Sequence, residues 1–100
     1  MCIFHQLSDK HQQTIREIFN VYPSTALSWS AILNLLDAIT KVCEGWVLDP
    51  TNDRVCVAIY FGQEYRIGIF PRRGDCQFAD SSTIRDIRSY LETIDVQPDE

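Results

Sequence analysis

Residues Arg54 to Phe70 constrain this chain more than any other stretch. They run Arg-Val-Cys-Val-Ala-Ile-Tyr-Phe-Gly, then Gln-Glu, then Tyr-Arg-Ile-Gly-Ile-Phe. Both halves are rich in β-branched and aromatic residues and alternate with a period of two, the period of a strand. The segment therefore reads as a β-hairpin closed around Gly62-Gln63-Glu64. Closed in that way, Val55, Val57, Ile59, Phe61, Tyr65, Ile67 and Ile69 share one face, which is a core face. Cys56, Ala58, Tyr60, Arg66, Gly68 and Phe70 share the other. A half-buried sheet turns polar groups to water on its outer side, yet this second face offers two aromatics, two small residues and one arginine. Such a face is either covered by another element or meets a partner. Cys56, Ala58, Tyr60 and Phe70 are its candidate protein-interface residues.

The elements around the hairpin follow from periodicity and caps. A first helix is expected over about 9–20, with Ser8 as N-cap and His11, Ile15, Ile18, Phe19 and Tyr22 along one stripe. Pro23 stops it. A second helix starts at Ser28 or Ser30 and carries Trp29, Ile32, Leu33, Leu36, Ile39 and Cys43, widened by Leu35 and Val42 into a deeply buried stripe. Lys41 suits its C-terminal dipole, and Gly45 is expected to end it in the left-handed conformation. Trp46–Leu48 reads as a short strand and 49–53 as a turn cluster. After the hairpin, 71–79 is expected to be loop. Asp80, Ser81 or Ser82 then caps a last helix with Ile84, Ile87, Leu91 and Ile94 inward and Arg85, Arg88 and Glu92 outward. Residues 95–100 read as a loose acidic tail. The expectation is a single α+β domain over residues 1–100, in the order α-α-β-β-β-α. Its core, about 28–94, is a three-stranded antiparallel meander packed against helices. The first helix caps one end of that core or lies across the second sheet face.

One hundred residues leave room for one core. No apolar run approaches the roughly 20 residues that cross a bilayer, and Met1–Leu7 lacks the layout of a signal peptide. The expected compartment is cytoplasmic, where Cys2, Cys43, Cys56 and Cys76 are free thiols. Fourteen acidic against nine basic residues give a net charge of −5, which disfavours tight binding to a phosphate backbone. His5 and His11 have no ligand-spaced neighbours, so no metal site is expected, nor is any cofactor motif present. Asp49 and Asp53 flank a turn, where they could form a carboxylate pair, although residues so placed more often bond their own backbone as Asx-turns. Cys76 follows two arginines but has no histidine to act as base.

Taken in order, several segments form a pattern. Thr14-Ile15-x-x-Ile18-Phe19 is followed by Pro23, and Leu27-Ser28-Trp29 leads into Ile32-x-x-Leu35-Leu36. Glu44-Gly45 precedes a strand, Arg54-Val55-x-Val57 and Phe70-Pro71-Arg72 follow, and Ile84-Arg85-Asp86-Ile87-Arg88-x-x-Leu91-Glu92 closes the set. In this order and spacing, over about residues 10–96, the chain resembles the HicA-like toxins of bacterial toxin–antitoxin systems, in a branch preceded by an extra helix. The resemblance implies a fold like that of double-stranded-RNA-binding domains. It also implies a ribonuclease that cuts messenger RNA until an antitoxin covers it. Active members carry Gly-Ser-His at the start of the second strand, where this chain has Asn52-Asp53-Arg54. Neither Asp53 nor Arg54 titrates near neutral pH, as general acid–base cleavage of RNA requires.

Two functions are therefore expected in different classes. In the first, the chain is a HicA-like domain without nuclease activity that binds a protein, either an antitoxin-like subunit or its own copy. In the second, it is an active toxin or RNA-binding module with Arg54, Arg66, Arg72 and Arg73 as the phosphate-contacting group. A third, an acidic mimic of nucleic acid, draws only on the net charge.

Overall fold

A computed structural model describes residues 3–20, 27–51, 54–72 and 77–98. Within them the chain is an α+β fold with three helices and a three-stranded antiparallel sheet. A 3-10 turn (Ile3–Gln6) leads into helix α1 (Asp9–Ile18). Ser8 has the backbone conformation of an N-cap, but its side chain makes no capping bond. The Gln12 amide instead donates to the carbonyls of Phe4 and Leu7 (3.1 and 3.0 Å), which ties the turn to the helix. Phe4 and Leu7 thereby enter the core, a role no periodicity announces. Tyr22 and Pro23 lie outside the described residues, as do Asn52, Asp53, Gly74 and Cys76.

Leu27–Ser28 forms a short strand, β1, that runs straight into helix α2 (Trp29–Val42). Ser28 caps that helix by accepting from the Ala31 amide at 3.1 Å. Ile32, Leu35, Leu36 and Ile39 are fully buried along it, whereas Val42 at its end is exposed. Helix α2 does not finish in a left-handed residue: Cys43 is already extended, and the positive-φ glycine among the described residues is Gly62. Gly45 serves another purpose. It opposes Ile59 across the sheet, where a Cβ would collide with the Ala58 carbonyl.

Strand β2 (Gly45–Thr51) extends beyond the expected 46–48, with a register shift between Leu48 and Thr51. This irregularity on an edge strand accommodates Pro50, which has no amide to donate. Strands β3 (Arg54–Phe61) and β4 (Glu64–Pro71) form the hairpin. Their loop is two residues long, not three. Phe61 opposes Glu64, and Gly62 and Gln63 both have positive φ (65° and 72°), the signature of a type I′ turn. The single-residue difference inverts the whole of β4, because side chains alternate faces. Gly68 and Phe70, expected on the outer face, turn toward the helices. Tyr65, Ile67 and Ile69, expected in the core, turn away from them. On β3 the expected phase is found, with Val55, Val57 and Ile59 buried.

Phe78–Ala79, expected in a loop, is strand β5 and pairs with β1. Helix α3 (Ser81–Thr93) follows, capped by the Asp80 carboxylate, which accepts from the Thr83 amide at 2.8 Å. Helix α2 lies against β2, α3 lies against β4, and α1 packs on α2 and α3. The first helix therefore belongs to the helical layer. One buried cluster joins all these elements, including Ile84, Ile87, Leu91 and Ile94 as expected from their spacing. The start of the tail is not loose. The Val96 amide donates to the Leu91 carbonyl and the Asp95 amide to that of Glu92, with Asp95 at φ 60°. These are the two bonds of a Schellman cap, and they bury Val96 in the core.

Candidate functional site

The inverted phase of β4 assembles the most exposed apolar surface of the described residues. Even-numbered residues of β3 and odd-numbered residues of β4 share the face opposite the helices: Cys56 opposes Ile69, Ala58 opposes Ile67, and Tyr60 opposes Tyr65. Trp46 of β2 joins them, opposite Ala58. Ile67 is 67% exposed, Ile69 57% and Trp46 48%, with the two tyrosines close behind. Together they form one contiguous exposed apolar patch.

The rings on this face are organised. Ala58, on the central strand, is small enough for Trp46 to reach over it from β2 to Tyr65 on β4, with ring centroids 5.2 Å apart. Tyr60 meets Tyr65 edge-on at 5.1 Å. Ala58 is thereby covered without being a member of the helix-side core. Cross-strand aromatic pairs of this kind hold a sheet face rigid. Cys56 lies beside it as a free, half-buried thiol.

The four sequence-derived interface residues separate accordingly. Tyr60 stands in the middle of the face, Cys56 and Ala58 form its floor, and Phe70 is not on it. Phe70 is 2% exposed and stacks T-shaped on Tyr90 of α3 at 5.8 Å. Its place on the inner face follows from the two-residue turn. Trp46, Tyr65, Ile67 and Ile69 were absent from that candidate set, and the Gly62-Gln63 dipeptide is the signal that identifies three of them.

Among the described arginines, Arg66 stands apart from Arg54 and Arg72. Arg54 is exposed at the start of β3 opposite Pro71, next to Arg72. Arg66 sits on the rung of Ile59, near the turn, about 17 Å further along the strands at the usual rise per residue. There it pairs with Glu64 at 3.2 Å and donates to the Phe61 carbonyl at 3.4 Å. Arg72 lies over the Trp29 ring at 5.8 Å. That contact is made possible by the Trp29 amide, which donates to the Gln77 carbonyl at 2.9 Å and draws the two segments together. Arg73 lies outside the described residues.

Both histidines of the chain are in its first eleven residues. His5 stands edge-on to Phe4, and His11 lines an open cleft of about 430 Å³ with Lys10, Asn34, Asp37 and Lys41. Burial pushes the Cys43 thiol up. Burial, and secondarily repulsion from Cys43, push Tyr90 up to about 12. Both groups are therefore protonated at neutral pH, the opposite of an activated nucleophile. Among the described residues no cluster of His, Cys, Asp or Glu could hold a metal ion, and no helix is long and apolar enough to cross a membrane. Comparison with protein-family models, with curated proteins and with solved structures returned no match.

Proposed function

We propose that this chain is a HicA-like domain without nuclease activity, working in the cytoplasm as the protein-interaction member of a toxin–antitoxin-like pair. Its contact surface is the sheet face carrying Trp46, Tyr60, Tyr65, Ile67 and Ile69. One observation carries the reading: five large apolar side chains stand exposed on one side of a sheet whose other side is sealed by helices. Tryptophan and tyrosine are the residues that most often dominate interface energetics. The order α2-β2-β3-β4-α3 is the one the resemblance implies, and the position of the family's Gly-Ser-His is held by Asn52-Asp53-Arg54.

The test is co-expression with the product of an antitoxin-type reading frame adjacent to the gene, where the gene has one, followed by size-exclusion chromatography. A complex that survives in the wild type and is lost in Ile67→Lys is the expected outcome. A complex indifferent to Ile67→Lys counts against the reading. So does growth arrest on expression alone that disappears in the Arg72→Ala, Arg73→Ala variant, which would restore the active-toxin alternative.

A further inference from the structure

We infer that the aromatic–isoleucine face is occupied by a second copy of this chain, in a weak symmetric dimer that stacks the two sheets face to face. This rests on reading that face as an interaction surface and names its occupant. At the observed exposures the five side chains offer roughly 500–600 Å² per copy, so a pair would bury about 1,000–1,200 Å², the lower edge of specific interfaces. The size fits a reversible dimer and is small for an obligate one.

Charge points to self-association. In a two-fold contact each patch meets its own copy, so for a chain of net charge −5 an uncharged patch avoids like-charge repulsion. Among the described side chains the centre of this face is uncharged. Its charges stand at opposite ends. Arg54 occupies an outward position at the start of β3. At the other end, the Tyr60 amide donates to the Glu44 carbonyl at 2.7 Å, which continues the β2–β3 register by one rung and sets exposed Glu44 on the same side as Tyr60. The two charges lie about 20 Å apart along the strands.

The symmetry axis of stacked sheets lies in the plane between them. An axis parallel to the strands would set Arg54 over Arg54 and Glu44 over Glu44. An axis running across the strands sets each Arg54 over the other copy's Glu44. Only the second is complementary. With sheets about 10 Å apart and nearly aligned, the product is a four-layer helix–sheet–sheet–helix sandwich.

An RNA strand is the competing occupant. The rings here close on one another at 5.1 and 5.2 Å in tilted and edge-on pairs, whereas base stacking needs open ring faces flanked by cations.

Sedimentation equilibrium of the purified chain from about 1 µM to 1 mM tests the inference. The expected result is a monomer–dimer equilibrium with Kd of order 10–500 µM. Ile67→Lys and, independently, Ile69→Lys should each weaken it at least about tenfold, with unchanged circular dichroism because both positions are solvent-exposed. Glu44→Arg and Arg54→Glu should each weaken it a few-fold, and the double swap should restore it. A monomer at 1 mM overturns the inference, as does a dimer insensitive to both isoleucine variants or one that the double swap fails to restore. Salt-sensitive binding of a single-stranded RNA 20-mer, lost in Ile67→Lys, would assign the face to RNA and also overturn it. The co-expression experiment is separate, so a monomeric chain that still binds a different protein through Ile67 would end the dimer and leave the proposed function standing.

Discussion

Replacing Gly68 by alanine puts the register of the hairpin to a quantitative test. A Cβ at this position would lie 2.8 Å from Cδ1 of Tyr90 and 2.9 Å from Cζ of Phe70. Carbon atoms in good contact are about 3.5–4.0 Å apart, so one of the two rings has to move. Neither moves easily. Both are buried and stacked on each other, and the Tyr90 hydroxyl is pinned by donating to the Arg66 carbonyl at 2.8 Å. Overpacking of this kind costs about 1–3 kcal/mol. With a urea m-value near 1–1.5 kcal/mol/M for a chain of this size, the unfolding midpoint should fall by about 0.7–3 M. The opposite phase of β4 makes the opposite prediction. There residue 68 would face away from the helices, and alanine in place of glycine would be neutral or stabilising by up to about 1 kcal/mol. Equilibrium unfolding of Gly68→Ala followed by circular dichroism therefore decides by sign. A midpoint equal to or above that of the wild type refutes the two-residue register. Ile67→Thr is the companion measurement, expected within about 0.5 kcal/mol of wild type because the side chain is exposed.

Gln63→Gly should raise stability by up to about 1 kcal/mol, measured by thermal melting, because Gln63 holds φ 72° where glycine is unstrained. Tyr90 predicts an alkaline effect. The folded protein holds the Tyr90 proton more tightly than the unfolded chain does, so this contribution is intact below pH 10 and drains away as pH rises toward 12. The melting temperature of Tyr90→Phe should fall less steeply than that of wild type over that range, and parallel curves would contradict the shift. Ser28→Ala and Asp80→Ala each remove a helix N-cap and should each cost about 1 kcal/mol in chemical denaturation, additively, since they cap different helices.

Much of the fold was legible because three kinds of signal agreed. The stripes of α2 and α3 have helical spacing, their caps are Ser28 and Asp80, and Val55, Val57 and Ile59 keep strand period. What escaped was set by geometry that composition does not encode. Phe4 and Leu7 enter the core through a 3-10 turn stitched by the Gln12 side chain. Val96 is buried by a Schellman cap built on Asp95, an unusual residue for that position, so the acidic tail hid a helix stop. Gly45 is needed for close approach of backbones, a reason invisible without the partner strand. Strands β1 and β5 are too short to show any period. At the candidate site, Tyr60 was found from alternation alone, while Phe70 was misplaced together with the rest of its strand.

That misplacement has a specific cause. Strand β4 carries Tyr65, Ile67 and Ile69 on one side and Glu64, Arg66, Gly68 and Phe70 on the other. Alternation alone therefore favours burying the isoleucines, the phase the strand does not take. The choice falls to two local features, the positive φ of both Gly62 and Gln63 and the space that only glycine leaves at position 68 for the ring of Tyr90. Once these select the phase, the larger and more exposed set is the one that faces away from the helices. Reversing it would bury Ile67 and Ile69 but would push Phe70 outward and strip Tyr90 of its stacking partner. In either phase β4 leaves at least one large apolar side chain uncovered, and which ones is decided by the turn. The residues that fix its phase, Gln63 and Gly68, can be altered without touching any side chain that a partner would meet.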